Sequence, residues 1–237
     1  SEEALRYAWD RVSFAREKGH PLSGDAFNGV TGLGYAFQAA GRQLKKDEFS
    51  RQASELYGWA NFDSLREPDV LGGKAGALLV LCQGGQEERG KELADLLLKE
   101  QRMEGGWISS LGPEPLLGMG HGAAGIGLSL LRAYQFLGDD SYLEAARRAW
   151  NYERSKFSLE QGDWPNLQNR SRLHFMPGWC AGAPGVGLSR IAAVRAFPQE
   201  ISFQEDLDRA IVAVEKNSSD YDSDHLCCGR AGQIAFL

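Results

Sequence analysis

No stretch of this sequence is apolar for long enough to cross a bilayer. Its longest apolar runs, such as Ala77–Cys82, fall far short of the roughly 18 to 20 residues a spanning helix needs, and no charged-then-apolar segment opens the chain. Lysine and arginine are nowhere gathered into a long cluster and the net charge is −6. That balance argues against a surface built to neutralise nucleic-acid phosphates or anionic lipid. Cysteine is scarce: four in 237 residues are too few for a disulfide scaffold. The period-two alternation of a half-buried strand is scarce as well. With 43% hydrophobic and 24% charged residues, the chain can nevertheless bury a full core. These features together predict a cytoplasmic, all-α globular chain with no nucleic-acid partner and no membrane span.

Glycine, by contrast, is patterned. Gly-x-x-Gly followed by a mostly apolar segment occurs five times, at Gly29/Gly32, Gly73/Gly76, Gly122/Gly125, Gly182/Gly185 and Gly229/Gly232. The first glycines are 44, 49, 60 and 47 residues apart. The runs behind them, such as Ile126-Gly127-Leu128-Ser129-Leu130, are apolar nearly all round and read as buried inner helices. Between them, Glu87–Met103, Ser141–Ser155 and Phe203–Asn217 carry charges with apolar residues at helical spacing, and read as outer helices with one wet face. Such hairpins cannot bury their apolar faces singly, so an array is expected. The glycines would supply φ > 0 positions and room for close backbone approach. If the inner helices run in one direction, their glycine loops gather at one end, and a site belongs there.

The chemistry-bearing residues sit at repeat-equivalent places. Two positions before each first glycine stand Phe27, Leu71, Gly120, Cys180 and Cys227; one position before stand Asn28, Gly72, His121, Ala181 and Cys228. Cys180, Cys227 and Cys228 are therefore predicted to converge. Thiolate ligands without iron–sulfur spacing favour Zn²⁺, and three protein ligands leave one coordination place open for water or substrate. The competing readings are a vicinal or long-range disulfide, or buried free thiols. Cys82, in its apolar run, reads as a small buried hydrophobe. His121, set among small residues, reads as an acid/base or a fourth ligand. Asp25 and Asp69 each lie four residues before a first glycine; each could reach the axis or cap the turn that follows, and for Asp69 the cap is favoured. His225 and His174 flank the cysteine motifs and could orient a ligand without touching the metal. His20 reads as a loop residue.

These motifs resemble those of the lanthionine synthetase C-like family. The residues concerned are Asp25 before Gly29, His121-Gly122-Ala123-Ala124-Gly125, Trp179-Cys180-Ala181-Gly182-Ala183-Pro184-Gly185 and Cys227-Cys228-Gly229. The Cys-Cys-Gly form is most similar to the cyclase domain of class II lanthipeptide synthetases. The resemblance implies an α,α-toroid with zinc at its centre, of which residues 1–237 would be a single cyclase-like domain, truncated at its C-terminus to roughly five of seven hairpins by repeat count. It implies formation of lanthionine or methyllanthionine rings: a cysteine thiolate of a dehydrated precursor peptide adds to dehydroalanine or dehydrobutyrine. In that reaction Cys180, Cys227 and Cys228 would hold the metal, His121 would be the acid, Asp25 would assist it, and Trp179 would stand beside the ligands. An N-terminal dehydratase domain in the parent chain is also implied. Where the family often carries an arginine, four residues before the first zinc cysteine, this chain has Met176; Arg170 and Arg172 are near but unmatched. Rival readings are a relative that binds or adds glutathione, a zinc protein that binds peptide without turnover, and a toroidal glycosidase using Asp25 and Asp69, which would leave the cysteines unexplained.

Overall fold

The computed structural model describes residues 2–168, 174–176, 178–217 and 223–237. The described residues form ten helices and, apart from three isolated bridges, no β-structure. In chain order they are α1 (Glu2–Glu17), α2 (Val30–Leu44), α3 (Asp47–Trp59), α4 (Lys74–Gln83), α5 (Glu87–Glu100), α6 (Ala123–Leu137), α7 (Asp140–Ser155), α8 (Ala183–Ala196), α9 (Ile201–Asn217) and α10 (Arg230–Phe236). Hairpins pair α2 with α3, α4 with α5, α6 with α7 and α8 with α9, while α2, α4, α6, α8 and α10 pack side by side in sequence order as the inner layer. This is the architecture of an α,α-toroid, with five inner helices present. Among the described residues no helix is long and apolar enough to cross a membrane.

The outer helices bury one stripe each. In α5 the buried residues are Gly90, Leu93, Ala94 and Leu97, and in α3 they are Phe49, Ala53, Leu56 and Tyr57. That is the spacing of a single helical face. The inner α6 buries Ala123 to Gly127 without a break, because it is covered on several sides. Inner and outer layers interlock through a glycine set against a large side chain. Ideal Cβ atoms at Gly34 and Gly127 would come within 2.7 Å of Tyr57 and Trp150. In the second hairpin the arrangement is exchanged: the inner helix carries Leu78, and the outer Gly90 faces it.

Each inner helix starts directly after the first glycine of its repeat, which serves as N-cap without any side-chain cap. These N-caps have φ between −109° and −147°. A left-handed backbone is therefore not what they supply, contrary to the expectation from sequence. Close approach is. A Cβ on the second glycine would fall 1.8 to 2.2 Å from the carbonyl oxygen six residues earlier: Ala26, Val70, Met119, Trp179 and Leu226 behind Gly32, Gly76, Gly125, Gly185 and Gly232. The same glycines receive a residue of the preceding repeat. Ala26 packs on Gly76, Val70 on Gly125, Met119 on Gly185 and Trp179 on Gly232. One glycine thus closes its own loop and seats the preceding one.

Gly185→Ala is accordingly expected to cost about 2–4 kcal/mol, since its methyl would meet backbone that cannot retreat. Gly58→Ala, in α3 with nothing within 4 Å of the new Cβ, is expected to be neutral or to stabilise by up to about 1 kcal/mol. Urea denaturation of the two variants checks this; equal shifts in both would show that close approach is not the glycines' role.

Candidate metal and acid–base site

A line of backbone hydrogen bonds draws the glycine loops together. The N–H of Leu71 donates to the carbonyl of Gly120 at 3.3 Å, that of Gly120 to Cys180 at 2.9 Å, and that of Cys180 to Cys227 at 3.3 Å. Each donor and acceptor occupies the same position of its repeat, two residues before the first glycine. Residues far apart in sequence are thereby held one loop spacing apart. The inner helix starts repeat the same closure, with the N–H of Val30, Lys74, Ala123 and Arg230 each bonded to the carbonyl seven residues earlier.

The three cysteines predicted as ligands meet at the end of this line. Among the described residues Cys180, Cys227 and Cys228 are the one group of histidine, cysteine or carboxylate side chains whose ligand atoms, all within 4.8 Å of one another, could hold a metal ion. Cys180 Sγ lies 3.7 Å from Cys228 Sγ, which matches the separation of about 3.8 Å that two sulfurs take on a tetrahedral zinc with bonds near 2.3 Å. Cys227 and Cys228 sulfurs are 3.2 Å apart. Cys180 and Cys227, however, are joined as a disulfide, with Cα atoms 5.8 Å apart. The arrangement departs here from a trio of thiolates and takes the long-range pairing among the competing readings. Adjacent loops bonded through their backbones bring these two side chains as close as either state requires. The two states exclude each other, because the ligand form is the thiolate. Cys82 stands apart, and burial pushes its thiol up to about 12, as suits an inert core residue.

His121 stands on the Gly120 loop, whose position-120 Cβ would be 3.1 Å from Cys180 Cα and Cβ. Its Nδ1 lies 2.5 Å from Asp69 Oδ2, and the Asp69 side chain is 2% exposed against 21% for His121. With the carboxylate as acceptor, Nδ1 donates in this contact, and Nε2 has no hydrogen-bond partner among the described residues. Asp69 also accepts the N–H of Gly72 through Oδ1 at 3.0 Å, so it caps its turn and orients His121 at once. Asp25 is engaged within its own loop: Oδ1 accepts the N–H groups of Phe27 at 3.0 Å and Asn28 at 2.6 Å, and Oδ2 accepts Ser23 Oγ at 2.7 Å. The structure therefore puts Asp69, not Asp25, against His121. A signal for this was present in repeat order, since Asp69 belongs to the hairpin next to that of His121 and Asp25 to the one before.

The rings of His174 and His225 are exposed; each makes its loop bond through backbone, His174 as acceptor from Asn166 at 2.9 Å and His225 as donor to Ser223 Oγ at 3.4 Å. Trp179 is half-buried and, with Val70, Met119, Leu188, Arg132 and Arg195, lines a cavity of about 490 Å³ along the inner helices. Met176 accepts from Asn166 Nδ2 at 3.4 Å through its sulfur, while Arg170 and Arg172 lie outside the described residues.

The family model described as "Lanthionine synthetase C-like protein" matches residues 11–237. No curated protein sequence matches the chain. The solved structure titled "Nisin cyclase" is similar over 98% of this chain and 67% of its own, with a TM-score of 0.75 and 19% identity. At that identity the likeness speaks to the fold.

Asp69→Ala is expected to release the His121 ring, with loss of the downfield Nδ1–H signal in proton NMR, whereas Asp25→Ala is expected to keep it. The latter should lower stability by about 1–2 kcal/mol through its unpaired loop donors. A ring signal lost in Asp25→Ala and kept in Asp69→Ala would reverse the assignment.

Proposed function

The chain belongs to the lanthionine synthetase C-like family, and on that premise we propose that it closes thioether rings in a dehydrated precursor peptide. A cysteine thiol of the peptide adds across the double bond of dehydroalanine or dehydrobutyrine, giving lanthionine or methyllanthionine. The observation that carries this reading is the meeting of three cysteine sulfurs, within 4.8 Å of one another, beside a loop whose histidine is held by a buried carboxylate.

The donor set fits zinc. Three sulfurs, with no oxygen ligand grouped with them among the described residues, match the preference of that ion, and three rather than four leave a place for a fourth ligand. Cys180, Cys227 and Cys228 would hold it in their reduced form. When bound, zinc would lower the pKa of the peptide thiol so that it is a thiolate near neutral pH, and three anionic ligands keep that sulfur electron-rich.

The protein's own residues supply the rest. Attack of the sulfur on the β-carbon forms the carbon–sulfur bond and leaves an enolate, which takes a proton at its α-carbon. His121 Nε2 gives that proton. Asp69, accepting from Nδ1, fixes the ring's orientation. The proton lost by the thiol balances the one gained by carbon, so the reaction leaves the peptide's mass unchanged. Asp25 braces the first loop through its three local hydrogen bonds, and Trp179 backs the Cys180 loop.

The experiment is a thiol-alkylation time course with a dehydrated, cysteine-containing peptide and reduced protein, beside a control without protein. Loss of free thiol should run well above the control, and peptide with blocked cysteine should be unchanged. His121→Asn should keep its metal and slow ring formation by about 10² to 10⁴, the range for a lost general acid. Equal thiol loss with and without wild-type protein would contradict catalysis, and loss of metal in His121→Asn would recast that residue as a ligand.

A further inference from the structure

Glu153 lies on the outer helix α7, yet its side chain is fully buried, as is that of Arg190 on α8. Its Oε1 accepts the N–H of Gly118 at 2.8 Å, in the loop that carries His121. Oε2 lies 3.1 Å from the Arg190 guanidinium. Arg190 Nε donates to buried Asp206 of α9 at 2.9 Å, and Arg154 donates to the same carboxylate at 2.8 and 3.0 Å. Arg209 lies 3.7 Å from that carboxylate as well, so two carboxylates face three guanidiniums. Burial pushes the Glu153 carboxyl above the ordinary carboxylate range, opposed by Arg190 and by the Gly118 N–H.

Buried ion pairs of this kind seldom stabilise a fold better than apolar residues of the same size. What distinguishes this one is where its first oxygen goes. Gly118 has φ +87°, a left-handed backbone that glycine adopts without strain, and this turns its N–H to Glu153. Its carbonyl accepts the N–H of Gly125 on α6 at 3.2 Å. On its other side a Cβ would fall 2.5 Å from the carbonyl oxygen of Cys180. Two residues later Gly120 donates to that same carbonyl at 2.9 Å, and His121 follows. Glu153, the Gly118–His121 segment and the Cys180 loop are thus stacked in direct contact.

We infer that Glu153 is a positioning residue: by accepting the Gly118 N–H it presses the His121 loop onto the Cys180 loop and sets the imidazole's place relative to the sulfurs. The kinetic part rests on the cyclase reading above; the placement does not. Arg190, itself held by Asp206, keeps the carboxylate aimed.

Two double variants separate positioning from bulk structure, because both remove the ion pair and leave Asp206 paired with Arg154. Glu153→Gln/Arg190→Met retains an oxygen for the Gly118 N–H; Glu153→Met/Arg190→Met does not. The first should keep kcat within about twofold of wild type. The second should lose about 10- to 100-fold in kcat, the effect of a small misplacement of a reacting group, with metal content and KM unchanged and the His121 Nδ1–H signal shifted or broadened. Equal kcat and equal ring signals in the two would overturn the inference. Should wild-type protein show no turnover, the cyclase reading fails and the ring signals alone decide the placement. Should the methionine pair not fold, amide exchange in wild-type protein decides it. A Gly118 amide exchanging as slowly as the core of α7 supports the role, and one exchanging like exposed loop amides overturns it.

Discussion

The structure depends on the close approach of backbone to backbone at the second glycine of each repeat. A single hydrogen in place of a methyl lets the carbonyl six residues back lie over the helix start and lets the previous loop seat against it. That stacking lines up equivalent positions closely enough for Leu71, Gly120, Cys180 and Cys227 to bond in succession through their backbones. The site is a consequence. Side chains far apart in sequence, such as Asp69 and His121 or Cys180 and Cys228, become neighbours because one loop geometry is repeated, not because each was placed separately.

This explains why much of the architecture was legible from sequence. Counting from glycine to glycine marks both the helix starts and the positions that converge, so inner helices, outer helices and the cysteine trio all follow. Pairings across the line were less legible. The partner of His121 depends on which loop stands next to it, and Asp25 and Asp69 are equivalent in spacing from their own glycines. Glu153 was not legible at all: α7 reads as an amphipathic helix with many charges, and nothing local shows that this one points inward to Gly118. The expectation that the glycines need positive φ failed for a physical reason, since an N-cap takes extended backbone that any residue adopts. Only the space is special.

The state of the sulfurs follows from electrostatics as much as from geometry. Three thiolates within a few ångströms repel one another in a partly buried loop, and the repulsion is relieved by a cation, by protonation or by oxidation of a pair. The Cys180–Cys227 disulfide and a metal centre are two resolutions of the same crowding. The acid–base side is independent of that choice, because the Asp69–His121 pair and the Glu153 contact rest on other loops. Metal binding and proton transfer can accordingly be lost separately.

In the proposed site, repeat-equivalent loops bring Cys180, Cys227 and Cys228 to one metal. X-ray absorption at the zinc edge of protein purified under reducing conditions tests it most directly. One zinc per chain is expected, with three sulfur scatterers at about 2.3 Å, falling to two sulfurs or to loss of metal in each single cysteine-to-alanine variant. Metal-free reduced protein, or zinc surrounded by nitrogen and oxygen with no more than one sulfur, would contradict it.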